Sequence, residues 1–312
     1  MLPKFWDDTL LDNLYPQLYF YQFGEKRRVA PNSGTTFYIP RWKKQSIVAQ
    51  NTEGAAVGIC PMSAQYLSGT LDQFAGAYRH SDIVVMTALS SVIEGSLREI
   101  SKDIANKIDT HIRLTTSAAG KFVGGGDAGF SAANVASDCK LTASNIIRSE
   151  VTLDANNNFR FPDGTYAGML HPTQVYDIQT NTSTGNWIDI NKYTAGVENI
   201  YRGEIGRMYG VRFVVSTNVK DRPVSDSAFS AIASYSAHLS GKQALIVAPG
   251  AYHVVEIDGG MAQTYVKGLG SAGTADPCNT LATVGAKVFF QCVANSLDTR
   301  QIRLGTAVTI DV

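Results

Sequence analysis

The residues of this chain that could do chemistry are few and scattered. The stretch RGEIGRMYGVRFVVSTNV, 202–219, sets Gly203, Glu204, Gly206 and Gly210 ahead of the apolar run Val211–Val215. Glycines around a carboxylate suit a ligand cradle, and Glu204 with Asp189 would supply a carboxylate pair for acid–base work. Nothing in the spacing brings those two together. The same glycines suit a tight turn in which positive φ or close packing excludes a Cβ. Glu204 and Arg207, three apart, then pair with each other or with a partner. GGGDAG at 124–129 lacks the Lys-Ser/Thr of a phosphate loop and the strand–turn–helix frame of G-x-G-x-x-G. LGSAG at 269–273 resembles a nucleophile elbow, but Leu269 stands at the first glycine position and no strand–helix frame surrounds it. His171, ahead of Pro172, suits a base at a strand end but fits a capping or core histidine better. Cys60, Cys139, Cys278 and Cys292 are far apart without a C-x-x-C pair, so they read as reduced, mostly buried small hydrophobes. The histidines include no H-E-x-x-H. No catalytic residue, cofactor or metal is expected.

Composition narrows the classes further. The 27 basic and 27 acidic residues balance, and no basic patch stands out for gripping phosphates. The densest cationic cluster is Lys26, Arg27 and Arg28, with Arg41, Lys43 and Lys44 further along. It reads as solvated surface or subunit contact, with polyanion binding as the alternative. A hydrophobic content of 44% with 17% charged residues is that of a folded domain. No apolar run approaches the ~20 residues of a membrane span, and the start has no signal-peptide pattern. A soluble protein made in a cytoplasm is expected.

The elements that would position any site are uneven. The opening LPKFWDDTLLDNLYPQLYFYQFGEK is aromatic and should lie against its own core or a neighbour. PNSG marks a turn, TTFYI a strand, and Pro40 an edge or free position. AQYLSGTLDQFAGAY restores strand character after a Gly/Ala-rich stretch. Together they predict an extended hairpin of about 50 residues with little core of its own. Residues 87–116 predict a long helix, because Leu89, Ile93, Leu97, Ile100, Ile104, Ile108 and Ile112 step by four or three. Glu94–Arg98, Asp103–Lys107 and Asp109–Arg113 are expected on its other face. Gly95 within it permits a bend or close contact. Further elements are a flexible connection over 120–130, a helix over 140–157 capped by Thr142 or Ser144, and a strand after PDG. A helix over TQVYDIQTNT, a strand at 211–217, a surface excursion over 220–241 and C-terminal strands complete the reading; Trp187–Ile200 stays ambiguous. The class is α+β.

Several motifs in order carry a resemblance. HPTQVYDI, GEIGRMYGVRFVVSTNV and KGLGSAGTADPCNTLATVGAKVFF are similar to the major capsid proteins of tailed bacteriophages, in particular the podophage N-four-type coat family. Upstream, QFGEKRRVAPNSGTTFYIPRW, NTEG at 51–54 and QFAGAYRHSD at 73–82 resemble the same family. The likeness runs from about Leu10 to Leu304. Cys278, Ala286 and Ala75 depart from its pattern, where leucine, tryptophan and glycine are usual; these are packing positions.

The resemblance implies the HK97-like fold. It divides the chain into an N-terminal arm (1–28), an E-loop hairpin (29–78), a peripheral domain (79–150 and 250–296) with the spine helix at about 87–116, and an axial domain (151–249 and 297–312). It implies self-assembly into hexamers and pentamers of an icosahedral shell around double-stranded DNA, which the coat touches without sequence preference. Scaffolding, portal and decoration proteins are the implied partners, with no membrane. No charged helical segment precedes Leu10, so the scaffold is expected as a separate protein. The virion capsid is the expected location, reached after assembly in the bacterial cytoplasm. An encapsulin-type compartment shares the fold and is the alternative. A small-molecule enzyme or binding domain would need a convergent polar pocket. As subunit contacts the expectation names Arg27, Arg28, Arg41 and Lys43 on the hairpin side, Glu94 and Glu99 on a neighbour's helix, and Glu204 and Arg207.

Overall fold

The computed structural model describes residues 18–43, 53–54, 59–87, 92–124, 140–180, 204–221, 241–257, 262–271 and 276–308. Leu89, Cys139, Asp189, Trp187–Ile200, the segment 222–240 and GGGDAG beyond its first glycine lie outside them.

Two sheets are tied together by one long helix. The strands are β1 (Glu25–Val29), β2 (Thr36–Trp42), β3 (Ala64–Thr70), β4 (Asp72–Ser81), β5 (Lys121–Gly124), β6 (Tyr166–Leu170) and β7 (Glu204–Met208). Then come β8 (Val211–Val215), β9 (Lys220–Asp221), β10 (Gly241–Val247), β11 (Tyr252–Ile257), β12 (Gln263–Lys267), β13 (Leu281–Ala294) and β14 (Gln301–Ala307). The helices are α1 (Asp82–Thr87), α2 (Val92–Ala119), α3 (Ala143–Ala155) and α4 (Pro172–Thr180). The first sheet has five strands in the order β1-β11-β13-β12, with β4 along the other side of β13. The second has seven, ordered β5-β14-β10-β6-β8-β7, with β9 beside β10. β2 and β3 form a sheet of their own.

The apolar stripe read from the sequence is the buried face of α2: Leu97, Ile100, Ile104, Ile108 and Ile112 are all buried. They meet the inward residues of β13, whose strict alternation buries Ala282, Val284, Ala286, Val288, Phe290 and Cys292. The same core takes in Met169, Val214 and Leu245 of the second sheet, so α2 spans both sheets. At 28 residues it is about 42 Å long at 1.5 Å per residue. It is described from Val92 and the short α1 as far as Thr87; residues 88–91 of the helix expected over 87–116 lie outside the described residues. An added Cβ at Gly95 would meet nothing within 4 Å, so among the described residues no close contact uses the space this glycine leaves. The other face of the second sheet packs on α3 and α4 through Ile146, Leu153, Val175 and Ile178.

Several local expectations give way to long-range pairing. Lys121–Gly124, read as part of a flexible connection, pairs in parallel with β14. MAQTYVK, assigned no element from sequence, contains β12, which pairs with β13. Thr142 stands at the α3 N-cap as expected, although its side chain makes no cap hydrogen bond. Within GEIGRMYG, whose Gly203 lies outside the described residues, Glu204–Met208 is a strand with an irregular register between Glu204 and Gly206, followed by a turn at Tyr209–Gly210 with Tyr209 at φ 52°. Cys60 and Cys278 are exposed, against the expectation of mostly buried thiols; Cys292 is buried, and burial pushes its pKa up to about 12.

Candidate assembly surface

The hairpin β2–β3 has two chemically different faces. Alternation puts Phe37, Ile39 and Arg41 of β2 on one face with Gly69, Leu67 and Gln65 of β3. Phe37, Ile39 and Leu67 are buried against Val255 of the chain's own body. Gly69 makes that approach possible: a Cβ there would lie 2.6 Å from Val293 Cγ2 and 2.7 Å from the Phe37 ring. At the far end Arg41 Nη2 meets Asp298 Oδ2 at 2.5 Å. Gln291 Nε2 donates to Thr70 O (2.8 Å) and to Asp72 Oδ2 (2.9 Å) where the hairpin joins β4. The root of the hairpin therefore shares a small core with the body of its own chain, where little core was expected.

The outward face carries Tyr38, Pro40 and Trp42 opposite Ser68, Tyr66 and Ala64. It bears no charge. Tyr38, Trp42 and Tyr66 are 66%, 64% and 62% exposed, and the two tyrosine rings meet edge to face at 6.5 Å. Ile59 and Met62, which precede β3 in the sequence, are also exposed. Pro40 lacks an N–H, which suits a strand paired on one side only. A second apolar surface is α1, a six-residue helix with no buried residue that exposes Ile83, Val84 and Met86. Rigid aromatic side chains held in the open at this density are what buried interface anchors look like before a partner arrives.

The segment before the hairpin is seated in the body. Leu18, Phe20, Tyr21 and Phe23 are buried in the main core. Tyr252 Oη donates to Phe20 O, Tyr21 Oη to Glu256 Oε1 at 2.5 Å, and Phe20 N–H to Asp109 Oδ1 at 2.7 Å. Asp109 was expected on the solvent face of the helix; it is 1% exposed and also accepts from Asn218 Nδ2 at 3.0 Å. Burial raises its pKa to about 6, against the lowering pull of Asn218, the Phe20 and Tyr21 amides and Arg113. Arg113, its expected partner, donates to Asn218 O at 2.9 Å and acts on Asp109 through its charge. Burial likewise holds His253 below its ordinary value, with Arg27 and Arg300 acting in the same direction and Glu25 in the opposite one.

The residues named from sequence are not gathered in one place. Arg27 lies on β1 and pairs with Glu25 at 2.7 Å, while Arg28 and Lys43 are exposed. Arg41 faces Asp298 of its own chain. Glu94 is exposed in the first turn of α2, and Glu99 pairs with Lys102 at 2.8 Å. Arg207 Nε donates to Tyr209 O of its own turn at 3.0 Å; the Glu204 side chain lies outside the described residues. The aromatic outward face went unnoticed in the sequence because TTFYIPRW is apolar at odd and even positions alike, so alternation does not say which set stays exposed. Among the described residues no group of three His, Cys, Asp or Glu could hold a metal ion, and no helix is long and apolar enough to cross a membrane.

No family model matches this sequence, and no curated protein matches it either. Solved structures do. The chain is similar to the capsid of Ralstonia phage GP4, with 14% identity over 95% of this chain and 93% of that one and a TM-score of 0.71. It is similar to the capsid of cyanophage Pam1 (10% identity, 94% and 92% covered, TM-score 0.67). The head of Helicobacter pylori bacteriophage KHP40 follows at 11% identity, 93% and 92% covered, TM-score 0.65. At such identities the likeness speaks for the fold: this chain has the α+β, HK97-like fold of phage capsid chains.

Proposed function

We propose that a chain with this fold is the major capsid protein of a tailed bacteriophage, a structural subunit without catalysis or cofactor. Copies assemble into hexamers and pentamers that close into an icosahedral shell around double-stranded DNA. The observation that carries the reading is the hairpin, seated by its root on its own chain and presenting an uncharged aromatic face outward. Such a face is covered when a neighbouring copy lies against it. The hairpin face and the rest of the body are different surfaces, so the contact is heterologous and closes rings and shells rather than stopping at pairs. Many modest contacts then add up by mutual closure.

Within this reading the arm, hairpin, peripheral and axial parts divide the chain as the resemblance implies, and the motif order favours the podophage N-four-type branch. Lys43, at the outer end of the hairpin, is the cation offered to Glu94 or Glu99 of a neighbour. Arg41 serves its own chain, because displacing it would leave Asp298 to Arg300 alone, at 3.3 Å. Assembly in the bacterial cytoplasm with separate scaffolding and portal proteins belongs to the same reading.

The test is negative-stain electron microscopy of the chain expressed alone and with its candidate scaffold, beside a Trp42→Ala/Tyr66→Ala variant. Wild type should form shells or rings of five and six. The variant should stay folded and unassembled, since both side chains are already exposed within the subunit. Wild type that remains small and uniform in both preparations overturns the reading, and so does a variant that assembles as well as wild type. Enzyme cargo inside the shells would turn it towards an encapsulin.

A further inference from the structure

The first sheet has one face covered by α2 and another that the hairpin covers only in part. Phe37 and Leu67 sit over Val255 and Val293, which belong to β11 and the end of β13. The remaining half of this face is made by β12, the first part of β13 and β4. Register fixes its rows. Lys267 and Arg79 flank Thr283; Tyr265 and Ala77 flank Gly285; Gln263 and Ala75 flank Lys287. These rows contain no Asp or Glu. Arg79 and Lys267 are exposed and Lys287 is half-buried, its ammonium 5.1 Å from the centre of the Tyr265 ring and 5.3 Å from that of Phe289.

The geometry points to a binding site for an acidic protein partner: a segment that sets carboxylates against Arg79, Lys267 and Lys287 and packs a small apolar centre on the floor between them. Arg79 and Lys267 stand two strand spacings apart, about 10 Å, and Lys287 lies four residues along β13, about 14 Å. Between them Ala77 and Gly285 have almost no side chain, so a partner backbone can come close to the sheet. An apolar floor with charge at its rim is the anatomy of a protein interface. Nucleic acid fits less well. Three cations would neutralise about three phosphates, too few to hold a duplex at physiological salt. The Lys287 ammonium lies over one face of each of the Tyr265 and Phe289 rings, which leaves less ring surface for base stacking. This inference goes beyond the shell reading and does not depend on it.

The test uses the full chain and fluorescein-labelled probes followed by anisotropy: a twelve-residue peptide alternating Glu and Val, its Lys–Val counterpart, and a thirty-base-pair DNA duplex. Shell formation is scored in the same samples. The Glu–Val peptide should bind and the Lys–Val peptide should not. The Arg79→Gln/Lys267→Gln/Lys287→Gln variant should bind the Glu–Val peptide about tenfold more weakly, the combined effect of three rim ion pairs. Assembly should be unchanged. Should that variant fail to fold, Arg79→Gln and Lys267→Gln singly, each at an exposed position, should weaken binding about two- to threefold. Equal binding by wild type and variant overturns the proposal, as does no binding of the Glu–Val peptide. If the duplex binds more tightly than the peptide with the same three-residue dependence, the face belongs to nucleic acid and the proposal falls. Loss of shells in the variant would show that a second copy covers the face, and that also overturns it, while leaving the shell reading intact.

Discussion

Asp109 offers the sharpest quantitative test of the packing. Its carboxyl is buried where the chain's entry, the long helix and Asn218 meet, and it accepts from Phe20 N–H and Asn218 Nδ2. Burial raises its pKa from 3.8 to about 6. The folded chain therefore holds this proton more tightly than the unfolded chain. Below pH 3.8 both states are protonated and the fold has the full benefit of the neutral group. As pH rises to about 6 the unfolded chain releases the proton first, and that stability is lost. Two pH units at about 1.4 kcal/mol each make the loss about 3 kcal/mol, complete above pH 6. Asp109→Asn keeps an acceptor for Phe20 N–H and never ionises. Urea unfolding of the unassembled wild type and variant, from pH 3.5 to 7.5, gives a stability difference in which the other titrating groups cancel. The variant should gain about 3 kcal/mol on wild type across that range, and the gain should level off above pH 6. A difference that stays flat within about 0.5 kcal/mol, the ordinary error of additivity, would refute the reasoning. A gain in the opposite direction would mean that Asn218, the two amides and Arg113 outweigh burial and hold the carboxylate ionised.

Two further substitutions probe glycines that differ in their surroundings. Gly210→Ala would place a Cβ 1.9 Å from Glu150 Oε1, which is tied to Arg160 at 2.9 Å, while the other carboxylate oxygen accepts the Gly210 N–H at 3.2 Å. The variant should lose about 1–3 kcal/mol in urea unfolding, as overpacked sites do. Gly95→Ala enters open space on a helix and should stabilise the unassembled subunit by about 0.5–1 kcal/mol. If the same change impairs shell formation seen by electron microscopy, the glycine is kept for a neighbour's approach.

How much of this molecule could be read without coordinates depends on the reach of each signal. The buried stripe of α2, the presence of C-terminal strands and the turns at PNSG and PDG were legible because their causes lie within a few residues of each other. The sequence by itself determined these local elements, the α+β class and, through the order of its motifs, the resemblance to tailed-phage coat proteins. Asp109 looked like a surface charge because a single helix face cannot show that Phe20, 89 residues earlier, brings its amide there. Lys121–Gly124 looked like a linker because its partner β14 lies far along the chain. Arg41 looked free for a neighbour because nothing near it in sequence announces Asp298. Only the tertiary structure decided which face of the hairpin is buried and which half of the first sheet stays open. Both depend on how distant segments fill the same volume, and short-range periodicity carries no information about that.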